Sequence, residues 1–151
     1  MSAERNDGLS PEQYAALAAF RYRLRRFLAF SEAEAAKHGL PTQQHQALLT
    51  IAGHGGGGPA TVGLLAEQLM IAPHTAAELV SRMVEAGLLT KARGTQDRRR
   101  AELSLTPHAS ALLQDLTEAH LRELRDFGPA LVAALAGDAE KATQSPPTSP
   151  A

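Results

Sequence analysis

The sequence contains no cysteine and no tryptophan, and only 4% of it is aromatic, as two Tyr and four Phe. Without cysteine there are no disulfides, no thiolate metal ligands and no thiol-based sensing of oxidants. With so few rings, a core has to come chiefly from Leu, Ala and Val within the 44% that is hydrophobic, a composition that favours helices. No window approaches the roughly 18 apolar residues that a membrane-crossing helix requires. The polar start M-S-A-E-R-N-D-G holds no apolar stretch of the signal-peptide kind. A cytoplasmic protein that does not enter a membrane is therefore expected. Formal charge is nearly balanced at −1 over 151 residues, so any affinity for a polyanion has to come from local segregation of charge.

Signatures of catalysis are also missing. Ser104 and Ser110 lack the G-x-S-x-G setting of a nucleophile elbow, and the acids fall on amphipathic faces. The run Gly55–Gly58 is followed by Pro59 rather than by G-K-[S/T], so it reads as a connector and not as a phosphate cradle. No enzyme and no cofactor is expected.

What is present is helical pattern with clear punctuation. Ser10-Pro11-Glu12-Gln13 is a helix start with the elements of a capping box. Leu17, Phe20, Leu24, Phe27 and Leu28 recur at helical spacing as far as Gly39. Part of that apolar face is expected to meet another subunit. Thr42 is expected to cap a second helix ending at Gly53. Thr61 is expected to cap a third over 63–70, and Pro73 to open a fourth that ends at Gly87. Its inner stripe is Ala76, Leu79, Val80, Met83 and Val84. Strands are expected over 88–92 and 101–105. Thr106-Pro107 then restarts helix to about Phe127. Gly128-Pro129 is expected to break it before a last short helix over 130–136. The Pro/Ser/Thr-rich tail over 138–151 and residues 1–9 are expected to be disordered.

The short turn at Ile71-Ala72 forces the third and fourth helices to cross steeply, which is helix-turn-helix geometry. The fourth helix turns His74, Thr75, Glu78 and Arg82 away from its inner stripe. Such a helix presents its N-terminal half to a major groove, where His and Thr donate and Glu accepts from cytosine. It carries few basic groups, and the hairpin supplies them. Lys91, Arg93, Arg98, Arg99 and Arg100 lie within ten residues against one acid, Asp97. The segment is therefore +4 and the rest of the chain −5. Arginine suits the negative potential of a narrow minor groove. Asp97 beside three arginines suits a carboxylate that orients one guanidinium by a bidentate pair.

Three stretches together resemble the MarR (multiple antibiotic resistance regulator) family of winged helix-turn-helix regulators. They are Leu65-Ala66-Glu67, Glu85-Ala86-Gly87-Leu88, and Asp97-Arg98-Arg99 followed by Leu105-Thr106. The resemblance covers roughly 17–135. It implies a mainly α fold with a small β-hairpin wing, the winged helix-turn-helix over 61–105 and dimerisation helices over 10–38 and 106–137. It also implies double-stranded DNA with a pseudo-palindromic operator as partner. Pro73, His74, Thr75 and Glu78 would face the major groove, Arg99 would enter the minor groove and Asp97 would orient it, with Arg82, Arg93, Arg98 and Arg100 beside them. Leu17, Phe20, Leu24, Leu131 and Leu135 would lie in a homodimer interface. A small anionic or aromatic effector would bind near Arg21, Arg25, His45 and His54 and release a repressor from DNA. Two alternatives stand beside this reading. One is a winged helix used for protein–protein contact. The other is a zinc-responsive relative in which His45 converges with His108 or Glu102; no metal site is expected.

Overall fold

The computed structural model describes residues 8–55, 58–94 and 99–143. Helix α1 (Pro11–Lys37) begins as its sequence requires. The Ser10 hydroxyl accepts from the Gln13 N–H at 3.2 Å, and the Gln13 side chain accepts from the Ser10 N–H at 2.7 Å. Two donors left over at a helix start are thus met reciprocally. At the other end Gly39 takes φ +72°. Its N–H donates to Ala36 and that of Leu40 to Ala35, the double closure known as a Schellman motif.

Helix α2 (Thr42–Ala52) follows at once. Pro41 occupies the cap position without any side-chain bond, so Thr42 is the first helical residue rather than the cap. Strand β1 (Ala60–Thr61) leads into α3 (Val62–Leu69), where the Thr61 hydroxyl accepts from the Leu64 N–H at 3.1 Å. Helix α4 (Pro73–Glu85) comes next, then β2 (Leu89–Arg93), β3 (Ala101–Leu105) and α5 (Pro107–Thr143). The three strands form an antiparallel sheet in the order β1-β3-β2.

Helix α5 departs from expectation. Gly128 and Pro129 lie inside it, and helix continues to Thr143, past the point where an unstructured tail was expected. Proline removes one ladder bond, here the one to the Arg125 carbonyl, at about 3 kcal/mol. A helix of 37 residues keeps its bonds on both sides of that gap. Residues 1–7 and 144–151 lie outside the described residues.

The chain divides into two compact units: residues 31–120, and residues up to 30 together with those from 121. The buried apolar core, from Ala35 to Leu116, belongs entirely to the first. Leu48, Leu65, Leu79, Val80, Met83 and Leu89 are its largest members, with Leu116 from α5. In the second unit Phe27 and Phe127 stack with ring centroids 5.0 Å apart. Among the described residues no helix is long and apolar enough to cross a membrane.

Thr106 joins three elements. Its hydroxyl accepts from the Ala109 N–H at 3.2 Å as the α5 cap and donates to the Gly87 carbonyl at 2.7 Å. Its own N–H donates to the Leu88 carbonyl at 3.1 Å. Thr106→Val keeps the shape and removes both hydroxyl bonds, and is expected to destabilise the fold by about 1–3 kcal/mol. Urea denaturation checks this, and an unchanged midpoint would show that the hydroxyl ties nothing together.

Candidate nucleic-acid interface

Helix α4 is the most strongly two-sided element of the molecule. Ala76, Leu79, Val80 and Met83 are buried on one face. Pro73, His74, Ala77, Glu78, Ser81 and Arg82 are exposed on the other, with Thr75 half-buried at the boundary. Val84, expected on the inner stripe, is 38% exposed, because it lies to one side of the narrow strip that touches the core. Pro73 takes the first helical position after Ala72 in extended geometry, where its missing N–H leaves nothing unsatisfied.

Both ends of the reading pair are closed in the same way. After α4, Gly87 takes φ +72°, its N–H donates to Val84, and the Leu88 N–H donates to Met83. After α3, Met70 plays the same part at φ 54°, with its N–H on Glu67 and that of Ile71 on Ala66. A left-handed methionine gives no signal in sequence, where glycine or asparagine marks such a corner. This closure fixes the sharp turn between α3 and α4. The Met70 side chain is 90% exposed, so backbone geometry and not packing decides this position.

The hairpin carries the charge. Strands β2 and β3 pair in register from Leu89 with Leu105 to Arg93 with Ala101. Leu89 is buried, and the rest of β2 is exposed, as suits an edge strand leaving the core. β3 is central in the sheet, so Leu103 is held between Ala60 of β1 and Lys91 of β2. The Gly94 N–H donates to the Arg100 carbonyl at 2.9 Å and continues the ladder past Arg93. Arg93, Arg99 and Arg100 are exposed at this end. Asp97 and Arg98 lie outside the described residues.

The effector candidates fall in both units. Arg21 and Arg25 are exposed on α1 in one unit, whereas His45 and His54 belong to the other. His45 is buried on α2, and His54 is half-buried after it. His45 stands against His120, ring centroids 5.0 Å apart. Among the described residues no group of three metal-binding side chains forms. Of the interface candidates, Leu17 and Leu24 are exposed and Phe20 and Leu131 half-buried. The Leu135 side chain lies outside the described residues.

A model of the MarR family matches residues 38–100, from the end of α1 through the wing. That segment of the chain is similar to the MarR family. AbsC, a MarR family transcriptional regulator from Streptomyces coelicolor, has a TM-score of 0.69 at 19% identity, covering 92% of this chain and 94% of its own. A mutant MepR of Staphylococcus aureus bound to an oligodeoxyribonucleotide scores 0.60 at 19% identity over 86% and 91%. BpsR of Bordetella bronchiseptica, described with a mechanism for regulation of its DNA binding by 6-hydroxynicotinic acid, scores 0.60 at 17% identity over 97% and 100%. At such identities the likeness is one of fold. Curated proteins compared by sequence give no match.

Met70 supplies a test of the turn geometry. Met70→Gly removes the side-chain clash of the left-handed conformation without uncovering any core. It is expected to raise stability by up to about 1 kcal/mol. Differential scanning calorimetry checks this; a lower midpoint would mean that the methionine side chain contributes what its exposure denies.

Proposed function

We propose that this chain is a sequence-specific DNA-binding regulator that acts as a homodimer, a repressor released from a pseudo-palindromic operator by a small anionic or aromatic ligand. The observation that carries the reading is one compact unit presenting both the exposed polar face of α4 and a hairpin ending in Arg93, Arg99 and Arg100. A helix of that kind reads base edges in a major groove, and arginines beside it engage phosphates and the minor groove. Pro73, His74, Thr75, Glu78 and Arg82 are the major-groove residues in this reading. Arg93, Arg98, Arg99 and Arg100 are the wing contacts, and Asp97 orients Arg99. The mutant MepR carrying an oligodeoxyribonucleotide supports the same use of the fold.

Dimerisation is supported by apolar side chains that the described chain leaves in water. Leu17 is 61% exposed, Leu121 54% and Val132 65%. Two half-sites one helical turn apart call for a two-fold protein. Arg21 and Arg25 are exposed cations of the kind an anionic effector pairs with, and His45 and His54 are the further candidates. The aromatic acid named for BpsR supports that ligand class.

Arg99→Ala is expected to weaken specific binding by about 1–3 kcal/mol. Fluorescence anisotropy against a duplex selected from a random pool measures it, and an unchanged affinity would remove Arg99 from the interface. Replacing Leu17, Phe20 and Leu24 together by Ser is expected to abolish the dimer. Light scattering reports the mass; a variant still dimeric and still tight on its duplex would place the interface elsewhere.

A further inference from the structure

Within the reading unit one polar group is left over. His45 is 2% exposed, and its Nδ1 has no hydrogen-bond partner. Buried polar atoms without a partner are rare, and each one carries a desolvation penalty. An apolar side chain of similar size would avoid it, so the imidazole calls for an explanation.

Its surroundings supply one. His120 of α5 lies beside His45, rings tilted by 46°. His120 itself is fully engaged. Its Nδ1 lies 2.6 Å from the Leu116 carbonyl, and its Nε2 lies 2.7 Å from the Ser31 hydroxyl of α1. A carbonyl only accepts, so Nδ1 donates, and Nε2 accepts from Ser31 while the ring is neutral. The pair thus sits where α2 meets the parts of α1 and α5 that belong to this unit.

Every ionisable influence on His45 has the same sign. Burial, then His120, then His38 push its pKa below the ordinary histidine value. Helix α2 has no other ionisable residue. On α1, Glu34 pairs with Lys37 and acts on His38 and His120. α3 and β3 also pack on α2, and their acids Glu67 and Glu102 exert none of the influences on His45. A proton at His45 therefore meets no compensating carboxylate among the described residues.

We propose that the buried His45–His120 pair is a proton-operated catch: proton uptake on His45 loosens the junction of α2 with α1 and α5 and lowers the affinity of the reading unit for its operator as the medium acidifies below neutrality. The proton adds to whichever ring nitrogen of neutral His45 carries no hydrogen, and no covalent bond breaks. The route to the DNA face is short. Ala47, Leu48 and Ile51 of α2 share one core with Leu65 of α3 and with Ala76 and Leu79 of α4. Helix α5 is tied to the end of α4 through Thr106 and Gly87. The sign follows from linkage. The native state binds fewer protons than the unfolded chain at His45, so stability is full above the ordinary histidine pKa and falls as pH drops below it.

The proposal rests on the DNA-binding reading, and its test separates the two. Wild type and His45→Leu are compared from pH 7.5 to 5.5 by thermal unfolding and by anisotropy on a duplex selected from a random pool at pH 7.5. The histidine ring signals of the wild type are titrated by NMR. The wild type should lose affinity by up to roughly tenfold per protomer per pH unit beyond any loss in the variant. Its Tm should fall over the same window while that of the variant stays flatter. The His45 ring should titrate below the ordinary histidine range. Parallel losses in both proteins, or a His45 ring that titrates at the ordinary value, would overturn the catch. Absence of any bound duplex at pH 7.5 would instead overturn the DNA reading, and the Tm and NMR arms would still decide whether His45 is the proton site. Should His45→Leu not fold, the NMR titration set against the wild-type affinity curve decides, with a mismatch of the two midpoints counting against the proposal.

Discussion

One left-handed corner and the hydroxyl beneath it hold the reading unit in order. Gly87 closes α4 by turning the chain where no other residue type does so without strain. The same closure sends Leu88 back into the core beside Met83. The Gly87 carbonyl then accepts from Thr106, which caps α5. So the end of the reading helix, the root of both wing strands and the start of the longest helix share one small set of bonds. Were that corner to open, α4 would lose its fixed angle to the hairpin, and the two parts proposed to face DNA would no longer be presented together.

The two parts divide the work unequally. The outer face of α4 offers one histidine, one threonine, one acid and one arginine, a set that suits discrimination among base edges more than attraction. The hairpin holds the positive charge of a chain whose remainder is net negative. On the proposed DNA-binding role, attraction to phosphate would be local to the wing and steeply dependent on salt. The edge position of β2 serves this arrangement. A central strand would need apolar residues on both faces to stay buried, whereas β2 leaves the core after Leu89 and is free to carry Lys91 and Arg93.

Much of this was legible because the chain punctuates itself with residues of one physical meaning. Ser10 with Gln13, Thr61, Pro73, Gly87 and Thr106 each mark an end that the structure places where it was expected, and β3 spans the expected residues, Ala101–Leu105. Meaning failed where a residue type is ambiguous. Met70 adopts a glycine's conformation, which no rule of composition announces. Pro41 displaced Thr42 from its cap. Pro129 lies within α5, where local rules end a helix and the long ladder on either side carries it through. The approach of His45 to His120 was invisible for another reason. It joins residues 75 positions apart through packing alone, and single-sequence periodicity carries no information about such pairs.

The distribution of apolar surface bears on how the molecule associates. Every buried apolar residue of the core falls within residues 31–120. Large exposed ones gather in the other unit, as Tyr14, Leu17, Tyr22, Leu24 and Leu28 on α1 and Leu121, Leu124 and Val132 on α5. Scattered apolar residues on a surface need no explanation, but a helical series on two elements of one unit does. Among the described residues that unit contributes none of the buried apolar core, so its apolar faces gain little from folding alone. In the proposed homodimer a second copy would offer the same faces in self-complementary form. Association is thus the proposal that accounts for these apolar faces of α1 and α5.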